Sequence, residues 1–194
     1  MNILKFGGTS VGSAQSISAL IDILKKEKGD ENPIVVLSAM GGVTNTLLEM
    51  AENARNAQDY ADQLKTIETK HFEVIRTLLP AIAQNPVLTK LKIYFNELED
   101  ILQSVYNLRE LSLQTKDLIL SYGERCSNVM VSHIARQQFP NAVYVDGSEL
   151  IKTDSNFGQA KVNNQLTEIL IKEFYDANSD KLMFVTGFIA SNDE

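Results

Sequence analysis

Lys5-Phe6-Gly7-Gly8-Thr9-Ser10 places an amine, two glycines and two hydroxyls side by side. Ile3, Leu4 and Phe6 form a short apolar run of strand length, Gly7 and Gly8 end it, and apolar residues recur at helical spacing from Ile17 onward. The pattern predicts a strand, a glycine turn and a helix N-terminus at Thr9 and Ser10, with Lys5 near the strand's end. Glycines let backbone N–H groups approach an anion closely, and a helix N-terminus adds partial positive charge. A lysine beside them supplies a full charge that can follow a phosphate. The stretch is therefore a candidate phosphate cradle. It is not a Walker A loop, which needs a glycine-lysine pair after a longer loop. Nor does it carry the glycine spacing of the dinucleotide fingerprint. The plainer alternative, a tight strand-to-helix turn beside a surface lysine, stays open.

A second constellation follows Pro33-Ile34-Val35-Val36-Leu37-Ser38, an apolar run rich in β-branched residues. Such runs read as strands covered on both faces of a parallel sheet. Ala39 to Val43 form another glycine-containing turn, and Thr44 and Asn45 can cap the helix that carries Leu47, Leu48, Ala51 and Ala54. Ser38 and Thr44 thus fall at the carboxyl end of a strand, where open α/β sheets bind ligands. Hydroxyls and free N–H groups there suit a carboxylate.

A third group lies on the helix marked by Leu118, Ile119, Tyr122, Cys126, Val129, Met130 and Ile134. Gly123 inside it costs about 1 kcal/mol relative to alanine, so a neighbouring helix or a ligand must approach the backbone there. Glu124 and Arg125 form a solvated pair, or Glu124 faces a pocket and holds an ammonium group. Cys126 has no base near it and reads as a small core residue. As the only cysteine it excludes an intrachain disulfide and argues against a thiolate zinc site. His71 has no acidic or histidine partner at a ligand spacing and reads as a packed or rim residue. No metal site is expected.

The elements that must position these groups alternate between strand and helix. Ile17, Leu20, Ile21 and Leu24 share one helical face, with Lys25, Lys26 and Lys28 in the last turn and Gly29 ending it. Asp59 to Leu79 is a helical stretch with Leu64, Ile67, His71, Ile75 and Leu78 on one stripe, stopped by Pro80. Asn85-Pro86 signals a turn. Leu88, Leu91, Phe95, Leu98, Leu102 and Val105 then make a coiled-coil-like seam. Together these predict an antiparallel helical hairpin inserted over about 59–112, and the seam makes the hairpin a candidate dimer surface. Asn141 to Gly147 is a third strand with its turn, Leu150 to Asp154 a short extended piece, and Asn156 to Gly158 a loop. Val162, Leu166, Ile169, Leu170 and Phe174 mark a helix, and Leu182 to Thr186 a fourth strand ending at Gly187. The expected fold is a three-layer α/β/α sandwich around a mainly parallel, doubly wound sheet. Glycines and hydroxyls gather after Phe6, Leu37 and Thr186, which favours one polar small-molecule site at that edge.

Hydrophobic content of 44% and charged content of 22% are ordinary for a globular chain with one sizeable core. A net charge of -7, from 25 acidic and 18 basic residues, argues against non-specific nucleic-acid binding. No apolar run approaches membrane-spanning length and no signal peptide is visible, so no membrane contact and a cytoplasmic location are expected.

Four segments, in order, resemble the motifs of the aspartate kinases, a branch of the amino-acid kinase family with its carbamate kinase-like fold. They are Lys5-Phe-Gly-Gly-Thr-Ser-Val11, Val35-Val-Leu-Ser-Ala-Met-Gly-Gly-Val-Thr-Asn45, Ser121-Tyr-Gly-Glu-Arg-Cys-Ser127 and Val185-Thr-Gly-Phe-Ile-Ala-Ser-Asn192. The resemblance implies transfer of the γ-phosphoryl group of MgATP to the side-chain carboxylate of L-aspartate. The product is 4-phospho-L-aspartate, in the first step of lysine, threonine and methionine biosynthesis. It implies that Lys5 bridges phosphate oxygens, with Phe6, Gly7, Gly8 and Ser10 around the nucleotide phosphates. It implies that Ser38, Gly41, Gly42 and Thr44 hold the aspartate and that Glu124 pairs with its amino group. A carboxylate acceptor is already ionised near neutral pH, so no general base is required.

The family continues past Gly187-Phe188-Ile189 into a motif with glycine, arginine and aspartate that serves nucleotide binding. The chain is therefore expected to be the N-terminal, acceptor-binding portion of a kinase domain, with the nucleotide-binding C-terminal part absent and little activity alone. The parent is expected to be a homo-oligomer, either monofunctional or fused to homoserine dehydrogenase, with the long helical insertion leaning towards the fusion. Three rivals stand beside this: an amino-acid kinase with a different acceptor, a non-catalytic amino-acid-binding module of the same fold, and a purely structural oligomerisation piece.

Overall fold

The computed structural model describes residues 2–27 and 32–192. Lys28 and Gly29, expected at the end of the first helix, lie outside the described residues, as do 193 and 194. The element order is β1 (Ile3–Phe6), α1 (Ala14–Glu27), β2 (Ile34–Leu37), α2 (Val43–Arg55), α3 (Ala61–Leu78), α4 (Ala81–Leu108), α5 (Leu113–Ala135), β3 (Ala142–Val145), α6 (Gly147–Leu150), α7 (Asn164–Asn178) and β4 (Leu182–Thr186). The four strands form one sheet in the order β1-β2-β4-β3, and every pairing is parallel. Val35 and Leu37 of β2 and Leu182, Met183 and Phe184 of β4 are buried, as continuous apolar strands between helical layers must be. The three-layer α/β architecture is the expected one. All strands point the same way, so Phe6, Leu37, Val145 and Thr186 end at one edge of the sheet.

The helix α5 crosses the sheet over β2, β4 and β3, and α2, α3 and α4 stack on it. Gly123 makes the closest approach possible. A Cβ there would stand 2.9 Å from the Ala39 Cβ and 3.2 Å from a Leu47 methyl. The neighbour that Gly123 requires is thus α2 together with the turn before it.

The hairpin of α3 and α4 is antiparallel: Tyr60 meets Tyr106, Glu68 pairs with Lys92 at 2.7 Å, and Phe72 stacks edge-on against Phe95. Its seam runs through Val87, Leu91, Phe95, Leu98, Leu102 and Val105, each at most 3% exposed. The seam is consumed inside the chain, against α2, α3 and α5. Pro86 sits within α4 rather than in a turn. So near the helix start it removes a single bond, the one its nitrogen would make to Ile82, and Ile82 is exposed to water. Burial of Val87 and Leu91 immediately afterwards outweighs that loss.

Two helix starts differ from expectation. The helix α1 begins at Ala14, not near Thr9 and Ser10. Ser13 and Ser16 cap it reciprocally, Ser16 N–H donating to Ser13 Oγ at 3.2 Å and Ser13 N–H to Ser16 Oγ at 3.0 Å. In α2 the cap residue is Gly42, at φ 86°, and no side chain caps the helix, so Thr44 lies inside the first turn. Val162 stands outside α7, bridged to Thr153. The extended piece at 150–154 pairs through Lys152 with Ser191, and a short helix, α6, precedes it.

Candidate active site

The carboxyl ends of β1, β2 and β4 open onto a cavity of about 580 Å³. Two glycine turns form its floor and touch each other. Gly41 N–H donates to Gly8 C=O at 2.9 Å, and a Cβ on Gly8 would lie 3.0 Å from the Ala39 carbonyl oxygen. A side chain at Gly8 would press on the backbone of the second turn, with Gly41 atoms at 3.3 Å as well. Gly42 supplies the left-handed conformation that turns the chain from β2 into α2. With no side-chain cap, the first-turn amides of Thr44 and Asn45 have no partner in the helix, and both residues line the cavity.

Of the sequence-predicted residues, Gly8, Ser38, Gly41, Gly42, Thr44 and Glu124 line this one cavity, although three helices separate Glu124 from β2 along the chain. Phe6, Gly7 and Ser10 do not line it, and the helix N-terminus expected over them is absent. The Gly7–Ser10 segment is instead a closed turn in which Ser10 N–H donates to Gly7 C=O at 2.9 Å. Lys5 stands at the rim. Its ammonium lies 4.5 Å from the centre of the Phe188 ring, and Phe188 is itself a lining residue. Phe188 is 84% exposed and adopts φ 58°. A bulky residue in the left-handed region is strained, and such strain gathers at functional sites.

Glu124 is the one predicted acid inside the cavity wall, 7% exposed. Burial raises its pKa, and the Ala39 N–H, donating to Oε1 at 3.3 Å, offsets this only partly. A buried carboxylate with one weak donor is electrostatically incomplete, and a cation completes it. Glu124 and Arg125 are not a solvated pair. Arg125 turns away and donates through Nε to Asp146 Oδ2 at 2.9 Å. Burial opposes ionisation of Asp146, but the Ser148 hydroxyl and N–H and the Arg125 guanidinium hold its carboxyl below the usual range. Asp146 also caps α6 through the Ser148 N–H, so the ion pair ties α5 to the end of β3.

Asp117, Ser121, Phe188, Ile189 and Ala190 line the cavity without having been singled out as site residues. Ser121 and Asp117 precede Glu124 by three and seven residues, a helical spacing that places them on its face. That spacing was the available signal. Asp117 accepts from Gly158 N–H at 2.6 Å. Behind the wall, Asn128 donates to Leu37 C=O at 3.2 Å and Gly187 N–H to the same carbonyl at 2.8 Å, fixing the ends of β2 and β4. Cys126 and His71 are buried, as expected of core residues. Among the described residues no three acidic, histidine or cysteine side chains cluster as metal ligands. No helix there is long and apolar enough to cross a membrane.

A parallel sheet with glycine turns and a buried acid at its carboxyl edge defines a polar small-molecule site of the open α/β type. Residues 1–194 match the amino acid kinase family, and the chain belongs to it. It is 31% identical, over 96% of its length, to aspartokinase 1, chloroplastic, of Arabidopsis thaliana, and covers 33% of that protein. It is 28% identical, again over 96% of its length, to the bifunctional aspartokinase/homoserine dehydrogenase 1, chloroplastic, of the same plant, covering 21% of it. The chain thus spans a third or less of these curated relatives. The solved structure of E. coli aspartokinase III in complex with aspartate and ADP superposes with a TM-score of 0.87 at 22% identity, over all of this chain and 42% of that one. The fold is therefore that of the matching part of this aspartokinase.

Proposed function

We propose that the chain is the acceptor-binding part of an aspartate kinase, which moves the γ-phosphoryl group of MgATP to the side-chain carboxylate of L-aspartate. The observation that carries this is Glu124, a buried carboxylate whose one side-chain hydrogen bond is the weak one from Ala39 N–H, set in a cavity that the uncapped start of α2 also lines. A ligand with an ammonium at one end and carboxylates at the other matches both. Glu124 holds the ammonium; Ser38, Thr44 and the Gly41-Gly42 turn hold the carboxylates. Lys5 at the rim neutralises charge on the transferring phosphoryl oxygens, and Gly8 keeps the backbone low enough for the phosphates to pass. Phe6 ends the strand that carries Lys5, and Gly7 and Ser10 close the turn that carries Gly8. Phosphoryl transfer asks the protein mainly to position reactants and neutralise charge, and the acceptor carboxylate needs no base. Mg²⁺ enters with the nucleotide as part of the substrate.

On this reading the nucleotide half of the site and the homo-oligomer contacts belong to segments outside residues 1–194, in a cytoplasmic enzyme; coverage of only 33% and 21% of the two plant relatives supports it. Isothermal calorimetry tests the acceptor half directly. L-Aspartate is expected to bind the chain and to lose at least about tenfold in affinity in a Thr44→Ala, Glu124→Ala double variant, since each removes a hydrogen bond to a charged group. A stronger response to another amino acid in the same panel would reassign the acceptor. Absence of binding to any member, with the fold intact by circular dichroism, would count against the site.

A further inference from the structure

The helical hairpin has no part in the reaction described above, yet one of its side chains reaches the site. Lys70, half-buried on α3, donates its ammonium to the Gly41 carbonyl at 2.6 Å. Among the described residues it is the only side-chain hydrogen bond from α3 or α4 to either glycine turn. Gly41 in turn donates its N–H to Gly8 C=O at 2.9 Å. One line of hydrogen bonds thus runs from the hairpin through the second glycine turn to the first. The Lys70 bond is charge-assisted and so stronger than a neutral one. The peptide between Gly41 and Gly42 is trans, so its C=O and N–H point in opposite directions. Holding the carbonyl on Lys70 therefore aims the Gly42 N–H the other way, and that amide has no protein partner among the described residues. A lysine gives up rotamer freedom to sit in this position, which a solvated helix face would not demand.

We propose that Lys70 is a positioning residue of the acceptor site: it pins the Gly41-Gly42 turn, sets the direction of the amides at the start of α2, and couples the hairpin to ligand binding. The ligand side of this statement rests on the acceptor assignment made above; the pinning itself does not. The experiment compares the whole chain with Lys70→Met, which keeps the stem and good helix propensity, and with Lys70→Arg, which keeps a charged donor. Amide hydrogen exchange at Gly41 is followed by NMR, L-aspartate affinity by calorimetry, and the fold by thermal melting.

The expected result is about tenfold faster Gly41 exchange in Lys70→Met, by loss of a charged hydrogen bond. Aspartate affinity should fall with it, the melting temperature should stay nearly unchanged, and Lys70→Arg should restore both local readouts. Unchanged Gly41 exchange in Lys70→Met would overturn the proposal. So would faster exchange with undiminished affinity in a chain that binds aspartate. If the unsubstituted chain binds no aspartate, the acceptor assignment falls, while the exchange comparison still decides whether Lys70 pins the turn.

Discussion

Glu124 shows how one residue sets function against stability. Its raised pKa means that the folded state favours the protonated form. The stability it contributes is fully present below the ordinary carboxylate pKa and is lost as pH rises through the raised value, because ionisation then leaves a buried charge with one weak donor. Glu124→Gln removes that charge and keeps an oxygen for the Ala39 N–H. The variant should therefore melt at a higher temperature than the parent near neutral pH, and the gap should close as pH falls. Its affinity for L-aspartate should drop about tenfold or more, since an ammonium has lost its counter-charge. Differential scanning fluorimetry across pH, beside calorimetry, checks both halves. Equal melting temperatures at neutral pH would mean that Glu124 is already satisfied without a ligand.

At the scale of elements, the decisive contact is between α5 and the turn leading into α2. Alanine at an interior helical position normally gains about 1 kcal/mol over glycine. At Gly123 the new Cβ would sit 2.9 Å from the Ala39 Cβ and 3.2 Å from Leu47. Ala39 has little room to yield, because its N–H is tied to Glu124 on the same helix. Overpacking of this kind costs about 1–3 kcal/mol, so the clash wins. Gly123→Ala is expected to lower the unfolding free energy from urea titration by up to about 2 kcal/mol, and to weaken aspartate binding by pushing α2 away from α5. The need for a close neighbour at Gly123 was legible in the sequence from the glycine alone. Which element supplies it was not, because α2 and α5 are separated by the whole hairpin.

For the molecule as a whole, the hairpin docks through a core that includes a histidine. His71 is fully buried between α3 and α4, with Nδ1 on the Ile67 carbonyl at 2.7 Å, its ring edge-on to Phe95, and Nε2 without a partner. Burial lowers its pKa to about 4. The folded state holds it neutral, while the unfolded chain takes up a proton near the ordinary value of 6.5. Stability is therefore kept above about pH 6.5 and lost as pH falls towards about 4. The loss from this group reaches roughly 2 kcal/mol by about pH 5. His133, partly buried on α5 and also lowered in pKa by burial, adds in the same direction. Urea titrations at about pH 7.5 and pH 5 should show this loss, and His71→Gln should flatten it. A pH-independent midpoint over that range would mean that the hairpin opens enough to hydrate His71.

Strands, helices, the two glycine turns and the four family segments were determined by the sequence itself, because apolar periodicity and glycine placement act over neighbouring residues. The same local chemistry misplaced the start of α1. Thr9, Ser10 and Ser13 are all competent caps, and the reciprocal bonds of Ser13 with Ser16 select the last. It also broke α4 at Pro86, since the burial that carries the helix across that proline comes from partners distant in sequence. Only the tertiary structure decided that Glu124 faces the cavity while Arg125 turns to Asp146, that the seam of α4 is spent inside the chain, and that Lys70 grips Gly41. Each of those depends on how a whole helix is rotated against elements far along the chain, and that rotation is set by core packing rather than by any local preference.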